Sequence, residues 1–523
     1  MRLRTLDFAG LAIAILLFVV LFRFLPSSSP YLYDEADYMS AGSRGILANY
    51  LDTPSLSMLD FFRLGRDVGL QKQQRSSLSD IVRTSGDVSF LRHFHGPFYY
   101  YYLASVGALT DRAEYRMRAA GLLFHILTAV AIYIACVWLL GTDGRMIGSI
   151  AALLVLLSFA NLKTATQITP HIPYVFFSVV SLLFFAAYLK QSRDRQGAVS
   201  HFAWYTSVIA FTLALASVEY AVLLPVTFVV CLYSYRRSLF SGWVRQDWIA
   251  FVSRTLALFL GTLFVLWPAG VLKLSAAKAY FYIVYLTLKR AGAYGDTSVL
   301  DAWRLRLHTA PFDYAIVAIF TIAAVLFYRR LPHRYLVLPC LVYGGLMFLT
   351  TAKNTSLNYT YVSSLLPPLL IVSAVVLVWL LSMLPAAPRI AATVAFLALV
   401  LFGTYWEVFR PGARSPERNT LDTVVEFVRD HPEWQNRRVL VPFDYLAVFD
   451  YYFPAMTVRA YLPDATPPAI VETFEKNSSE ALLYAGMPDP ALDHLALGQR
   501  TGPPEVICNS TVPRGQMEFF PPR

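Results

Sequence analysis

Two adjacent acids, Asp34 and Glu35, stand just beyond an apolar segment, in the string YDEADY that runs from Tyr33 to Tyr38. A carboxylate at the margin of a low-dielectric layer is a useful proton acceptor, because poor solvation raises its affinity for a proton. Acids are also favoured at helix N-termini, so the pair could merely cap a helix over residues 36–50. The residue types alone fit both interpretations.

A second string, HFHGPFYYYY, runs from His93 to Tyr102 and leads into an apolar stretch that ends at Leu109. Its histidines could bind a phosphate. The aromatic residues also fit an interfacial helix of about eleven to fifteen residues. A short span over residues 97–110 would turn every later arginine-rich link outward, so we do not adopt it.

The composition places the chain in a membrane. It has 523 residues, of which 56% are hydrophobic and 15% charged, a balance too apolar for a soluble globule of this size. The net charge of +10 does not indicate a nucleic-acid partner, because Arg and Lys fall mainly in short links between apolar runs. These runs predict about eleven transmembrane helices, at residues 6–25, 119–140, 146–162, 170–189, 203–218, 220–235, 250–272, 311–328, 335–351, 360–384 and 390–406.

The links between the runs predict the orientation. Alternation puts five links on one side, at residues 141–145, 190–196, 235–246, 328–334 and 385–389. Each carries at least one Arg, whereas the short links opposite hold only Lys163 and Lys353. By the positive-inside rule, the arginine-rich side and the N-terminus face the cytoplasm of a plasma (inner) membrane. The first run lacks a convincing cleavage site and is interpreted as a retained helix.

Three parts of the chain are not spans, and all are expected on the outer face: residues 26–117, 273–310 and 407–523. In the last part, Leu421, Val424, Val425 and Val428 recur at helical spacing and are followed by strand-like runs at 439–441 and 505–508. We therefore predict an all-α polytopic membrane domain over residues 1–406 and a small exoplasmic α/β domain over residues 407–523.

The sequence has no nucleotide-binding glycine loop and no metal-ligand spacing, and its four cysteines form no evident framework. A transferase that acts outside the cell has no ready supply of nucleotide sugars. Its activated group would most simply arrive on a lipid carrier.

The order of these motifs resembles the GT-C glycosyltransferases. The acid pair after the first span, the His-x-Pro-aromatic-Tyr string and an Arg that opens the next span match the branch of protein O-mannosyltransferases and the lipid A aminoarabinose transferase. Further matches are LLPVTFVV from Leu223 to Val230, Trp267-Pro268, and NYTYVSSLLPPLL from Asn358 to Leu370. The resemblance covers about residues 1–406.

The resemblance implies that a sugar passes from a polyprenyl-phosphate donor to an acceptor hydroxyl, with inversion at the anomeric carbon. Asp34 would take the acceptor proton and Glu35 would support it. His95 and Arg118 would bind the donor phosphate or order the acid pair; a snorkelling Arg118 is the simpler alternative. Lys353 and Tyr359 are further candidates for the donor site.

Two departures from the family pattern affect this assignment. Gly96 replaces the first proline of the His-Pro-Pro string. The link between the third and fourth spans, where many relatives carry a second acid, here holds His171. A divalent cation is possible only if Glu219 compensates for the missing acid, and the role of His171 stays open between a phosphate contact and an ordinary interfacial histidine.

Two other functions are compatible with a polytopic membrane protein. A transporter or flippase for lipid-linked sugars should show polar groups or broken helices near mid-membrane, and a lipid-linked oligosaccharide ligase would share the broad architecture. The early acid pair favours the transferase. The residues do not identify the sugar, and a glycan, a lipid or a protein could supply the acceptor hydroxyl.

Overall fold

The computed structural model describes residues 26–31, 33–51, 95–193, 197–268, 299–351, 363–409, 416–442, 445–461, 465–486, 505–511 and 514–520, with a few residues between 11 and 19. Three helices precede the first long apolar helix of the described residues: α1 (Tyr33–Ser43), α2 (Ile46–Leu51) and α3 (Phe98–Thr110). Gly45, at a φ of 87°, separates α1 from α2, a conformation that glycine adopts without steric cost. The expected single helix over 36–50 is therefore two helices, and the acid pair lies in the first turn of α1.

Each of the ten apolar runs that follow residue 118 contains a helix. They are α4 (Glu114–Leu140), α5 (Gly144–Leu157) with α6 (Phe159–Ala165), α7 (His171–Arg193), α8 (Gly197–Leu215), α9 (Leu223–Leu239), α10 (Arg245–Leu266), α12 (Pro311–Leu326), α13 (Arg334–Thr351), α14 (Leu366–Ser382) and α15 (Ala386–Phe409); α11 (Val299–Thr309) precedes α12. Among the described residues, six helices are long and apolar enough to cross a membrane, or seven if the α5–α6 pair is one span. The run at residues 6–25 falls largely outside the described residues, so the count of eleven stays a prediction.

The run at residues 146–162 is not one straight helix, because α5 and α6 meet at Ser158 with a bend of 60°. Asp313, in the first turn of α12, accepts hydrogen bonds from the Ser158 hydroxyl at 3.0 Å and from the Ala160 N–H at 2.9 Å. The first N–H groups of a helix have no partner within the helix. The Asp313 carboxylate, from another helix, supplies such a partner for the Ala160 N–H and stabilises the break.

The C-terminal part forms a five-stranded sheet with flanking helices. The elements are α16 (Pro416–Asp430), β1 (Arg438–Pro442), α17 (Leu446–Tyr452), β2 (Thr457–Tyr461), α18 (Pro467–Lys476), β3 (Ala481–Gly486), β4 (Glu505–Thr511) and β5 (Arg514–Phe520). The strand order is β2-β1-β3-β5-β4, in which β1 is parallel to both neighbours and β5 antiparallel to both of its own. The helix and the strands expected in this tail are present.

One hydrophobic core joins this sheet to α1 and α3. The residues at helical spacing in α16, from Leu421 to Val428, are fully buried against the sheet. The same cluster contains Tyr31, Met39 of α1 and Tyr99 of α3. The C-terminal part therefore packs directly on the segment that carries the acid pair.

Candidate active site

Glu35 and Arg118 form a buried ion pair. The Arg118 Nη2 lies 2.6 Å from Glu35 Oε2, and its Nε lies 3.3 Å from Oε1. The Arg118 side chain is 0% exposed and the Glu35 side chain 7% exposed. Arg118 lies near the start of α4, and Glu35 lies in the first turn of α1. The pair therefore joins two helices through residues that are 83 positions apart in sequence.

The remaining donors of Arg118 bind the chain just before α1. Its Nη1 donates to the carbonyls of Ser27 at 2.9 Å and Ser29 at 2.6 Å, and its Nη2 donates to the carbonyl of Pro30 at 3.0 Å. A guanidinium has five N–H groups, and these contacts with the two to Glu35 use all five. Arg118 is thus a buried anchor for residues 27–35, not a snorkelling side chain.

A third element holds Glu35 through the loop that follows α6. The Ile168 N–H donates to Glu35 Oε1 at 2.9 Å. Both oxygens of this carboxylate are therefore engaged, one by Arg118 and the other by Arg118 and Ile168. This arrangement fixes Glu35 in place and suits it to orient the start of α1.

Asp34 has different surroundings. Its side chain is exposed to solvent, and among the described residues it makes no hydrogen bond. Surrounding protein nevertheless desolvates the carboxyl and raises its pKa above the ordinary value; the charge of Glu35 adds to the rise, and His95 opposes it. A carboxylate that is both accessible and desolvated is suited to accept a proton from a bound molecule.

His95 pairs with a buried carboxylate. Its Nδ1 lies 3.1 Å from Oε2 of Glu219, the first residue of the short 3-10 turn before α9. The His171 ring, at the start of α7, lies 6.0 Å from the His95 ring between centroids, and the Tyr38 ring of α1 lies 5.8 Å from it. His95, His171 and Glu219 therefore form one cluster beside α1.

The departure at Gly96 has a physical reason. A Cβ atom at this position would overlap the carbonyl group of Ala216. The same carbonyl accepts a hydrogen bond from the Phe98 N–H at 3.1 Å. Only glycine permits this close approach of two backbone segments, which sets His95 beside Glu219.

A divalent cation does not fit the donors that are described here. Glu35 is bound to Arg118, and Glu219 is bound to His95. Within the described ranges, no three His, Cys, Asp or Glu side chains are grouped closely enough to hold a metal ion.

Two of the candidate residues, Lys353 and Tyr359, lie outside the described residues. The structure adds three that sequence reasoning missed: Tyr31, Ile168 and Tyr452. Ile168 contributes only a backbone N–H, and the Tyr31 N–H donates to the Tyr452 hydroxyl over 421 residues of sequence. Neither contact leaves a local pattern in the sequence.

Comparison with known proteins gives a fold but no sequence relative. No family model matches the chain, and no curated protein matches it. Among solved structures, the archaeal oligosaccharyltransferase AglB from Archaeoglobus fulgidus, in complex with an inhibitory peptide and a dolichol-phosphate, matches 92% of this chain and 69% of its own length, with a TM-score of 0.58 and 12% identity.

A second solved structure matches over nearly the full length of both chains. ArnT from Cupriavidus metallidurans, bound to undecaprenyl phosphate, covers 98% of each chain with a TM-score of 0.57 and 13% identity. AglB and ArnT both belong to the GT-C superfamily. The likeness confirms the GT-C fold that the motifs predicted, and at these identities it shows the fold alone.

Proposed function

We propose that this chain, which has the fold of the GT-C glycosyltransferases, transfers a sugar from a polyprenyl-phosphate carrier to an acceptor hydroxyl at the outer membrane face. The observation that carries the proposal is the contrast between the two adjacent acids. Glu35 is buried and fully engaged, whereas Asp34 is accessible and has a raised pKa. Paired acids with divergent environments are characteristic of acid-base sites.

Asp34 is the general base in this mechanism. Its carboxylate takes the proton of the acceptor hydroxyl while the oxygen attacks the anomeric carbon of the donor. The new C–O bond forms as the bond from that carbon to the phosphate oxygen breaks, and the electron pair leaves with the phosphate. Attack opposite to the leaving group inverts the anomeric centre, and the products are the glycosylated acceptor and polyprenyl phosphate.

The departing phosphate needs cationic partners. His95 suits this role because Glu219 orients the ring through Nδ1, and as an imidazolium it can then donate through Nε2 to a phosphate oxygen. His171 lies in the same cluster and is a further candidate. Lys353 and Tyr359 remain proposed donor-site residues on the resemblance of their motif.

Arg118 has a different role in the proposal. All five of its donors are engaged within the protein, and a phosphate would have to displace one of them. We therefore assign Arg118 to ordering Glu35 and the start of α1. This choice favours the second of the two roles that the sequence left open.

The lipid carrier is inferred from the neighbours. Solved structures of AglB and ArnT contain a dolichol-phosphate and an undecaprenyl phosphate, respectively. We infer that this chain also binds a polyprenyl phosphate within a multi-pass membrane domain. A glycan, a lipid or a protein supplies the hydroxyl.

A transporter of lipid-linked sugars is the second candidate, since the bend between α5 and α6 is the kind of broken span that transporters use. In this chain, α6 leads to Ile168, which binds Glu35. The break therefore serves to position the acid pair, which favours the transferase.

The proposal is tested by comparing surface glycans and glycoproteins of cells that carry the wild-type chain, Asp34→Asn or Asp111→Asn. Asp111 is a nearby carboxylate that is 92% exposed, so its substitution is a matched control. We expect Asp34→Asn to lack the same glycoconjugate as cells without the chain, at equal protein level in the membrane. Normal glycoconjugate in the Asp34→Asn cells would contradict the proposal.

A further inference from the structure

Tyr452, the last residue of α17 in the C-terminal part, contacts the segment that precedes the acid pair. Its hydroxyl accepts a hydrogen bond from the Tyr31 N–H at 2.8 Å and donates one to Glu114 Oε1 at 2.9 Å. The two tyrosine rings are stacked with centroids 6.2 Å apart. One side chain of the tail thus bridges the start of α1 and the start of α4.

The contacted segment is held from two sides. Arg118 binds the carbonyls of Ser27, Ser29 and Pro30. The Tyr31 hydroxyl donates to the Arg112 carbonyl at 2.8 Å, and its ring lies 5.3 Å from the Arg118 guanidinium. At the end of this segment, the Tyr452 hydroxyl binds the backbone N–H of Tyr31.

The position of Asp34 depends on that segment. Residue 31 is three positions before Asp34, and α1 begins at Tyr33. Since a shift of a reacting group by about 1 Å can cost about 100-fold in rate, movement of residue 31 would be felt at the carboxylate. The core that joins Tyr31, Met39 and Phe449 transmits the same constraint through packing.

We propose that Tyr452 is a positioning residue of the active site, through which α17 holds residues 27–31 and thereby sets the place of Asp34. This inference rests on the proposed transferase function. It gives the C-terminal part a role in the chemistry of the membrane domain through its contact with the segment before α1.

The adjacent Tyr451 provides a matched control. Its ring also packs on Tyr31, with centroids 5.4 Å apart in an edge-on arrangement. Among the described residues, its hydroxyl makes no hydrogen bond. Tyr452→Phe and Tyr451→Phe therefore remove one hydroxyl each from the same aromatic cluster, and only the first removes a bond to the segment before α1.

The experiment measures two quantities on the full-length protein in lipid nanodiscs. Hydrogen exchange of the peptide that contains the Tyr31 amide reports the bond itself. Transfer from polyprenyl-phosphate sugars, extracted from the membranes of the source cells, onto an envelope fraction from cells that lack the chain reports its consequence.

For Tyr452→Phe we expect faster exchange at Tyr31 and a kcat that falls at least about tenfold with KM for the donor unchanged, the signature of a misplaced reacting group. Tyr451→Phe should match the wild type in both. Unchanged exchange in Tyr452→Phe, or faster exchange with an unchanged kcat, would overturn the positioning role. Absence of transfer by the wild type would instead contradict the proposed function.

Discussion

Asp34 and Glu35 are neighbours in sequence with opposite surroundings. Glu35 is tied to Arg118 and to the Ile168 N–H, whereas Asp34 faces solvent with a raised pKa. The proton affinity of Asp34 follows from desolvation first, and from the opposing charges of Glu35 and His95 next. The chemistry at this site should therefore respond to changes in those neighbours.

The pH dependence of transfer tests this relation. A general base is active when ionised, so activity should be lost as pH falls through the raised pKa of Asp34. His95 opposes that rise, and its removal also leaves Glu219 without its cationic partner. His95→Gln should therefore move the acid limb of kcat to higher pH, measured at saturating donor. His201→Gln, at an exposed position of α8, is the control, and an unmoved or lowered limb for His95→Gln would contradict the assignment.

Gly96 leaves no room for a side chain. Gly96→Ala forces a methyl group against the Ala216 carbonyl, and overpacking of this kind costs about 1–3 kcal/mol. We expect a lower free energy of unfolding and weaker binding of undecaprenyl phosphate, because His95 is displaced from Glu219. Gly345→Ala, where a Cβ meets open space, is the control. Equal stability of the two variants would count against the close approach.

At the scale of elements, the ion pair between α1 and α4 fixes the acid pair relative to the membrane domain. Removal of one partner of a buried pair costs about 3–5 kcal/mol, because the other charge is left without compensation. Arg118→Met should destabilise the protein by this amount. Arg118→Met combined with Glu35→Met should recover part of the loss, as measured by unfolding in detergent. If the double variant were less stable than Arg118→Met, the uncompensated charge of Glu35 would not be the main cause of the lost stability.

The bend between α5 and α6 is a second link of this kind. Asp313→Ala removes the acceptor of the Ala160 N–H and of the Ser158 hydroxyl, and each buried donor left without a partner costs about 1–3 kcal/mol. We expect lower thermal stability and slower transfer, since α6 leads to the Ile168 contact with Glu35. Asp313→Asn, which keeps an acceptor oxygen, should be milder. Equal losses in both variants would contradict the capping role.

Local pattern predicted the helices but not these links. Runs of apolar residues fix the positions of α4 to α10 and of α12 to α15, and the spacing from Leu421 to Val428 fixes the buried face of α16. The bend at Ser158 depends on Asp313, which is 155 residues away in sequence. The identity of Glu35 as the engaged acid likewise depends on Arg118. Periodicity carries no information on partners so far apart.

At the scale of the whole molecule, the C-terminal sheet and the membrane helices share one core around Tyr31. The sequence predicted an α/β tail on the outer face, but its contact with α1 and with the segment before the acid pair depends on tertiary packing. The motifs placed Asp34, Glu35, His95 and Arg118 in one site, and the structure shows two buried pairs there, Glu35 with Arg118 and His95 with Glu219.

The orientation of the chain is a prediction at this scale. Single cysteines at Ser241 and Asp430, introduced with Cys508→Ser, report the arginine-rich link and the tail; Cys136, Cys231 and Cys340 are buried. We expect a membrane-impermeant maleimide to label the Asp430→Cys variant on intact cells, because the positive-inside rule places the tail outside. The Ser241→Cys variant should react only after lysis. The reverse pattern would place the acid pair on the cytoplasmic side.

In the proposed mechanism, Asp34 takes the acceptor proton as a sugar leaves its lipid phosphate. The most direct measurement is the release of free polyprenyl phosphate by the purified protein in nanodiscs, with membrane-extracted polyprenyl-phosphate sugars and an envelope acceptor fraction. We expect the wild type to release it as the acceptor gains the sugar, and Asp34→Asn to bind the lipid without releasing it. Release of polyprenyl phosphate by Asp34→Asn at the wild-type rate would contradict the role of Asp34 as the base. If the wild type moved the intact lipid-linked sugar between leaflets without releasing polyprenyl phosphate, the transferase function itself would be contradicted.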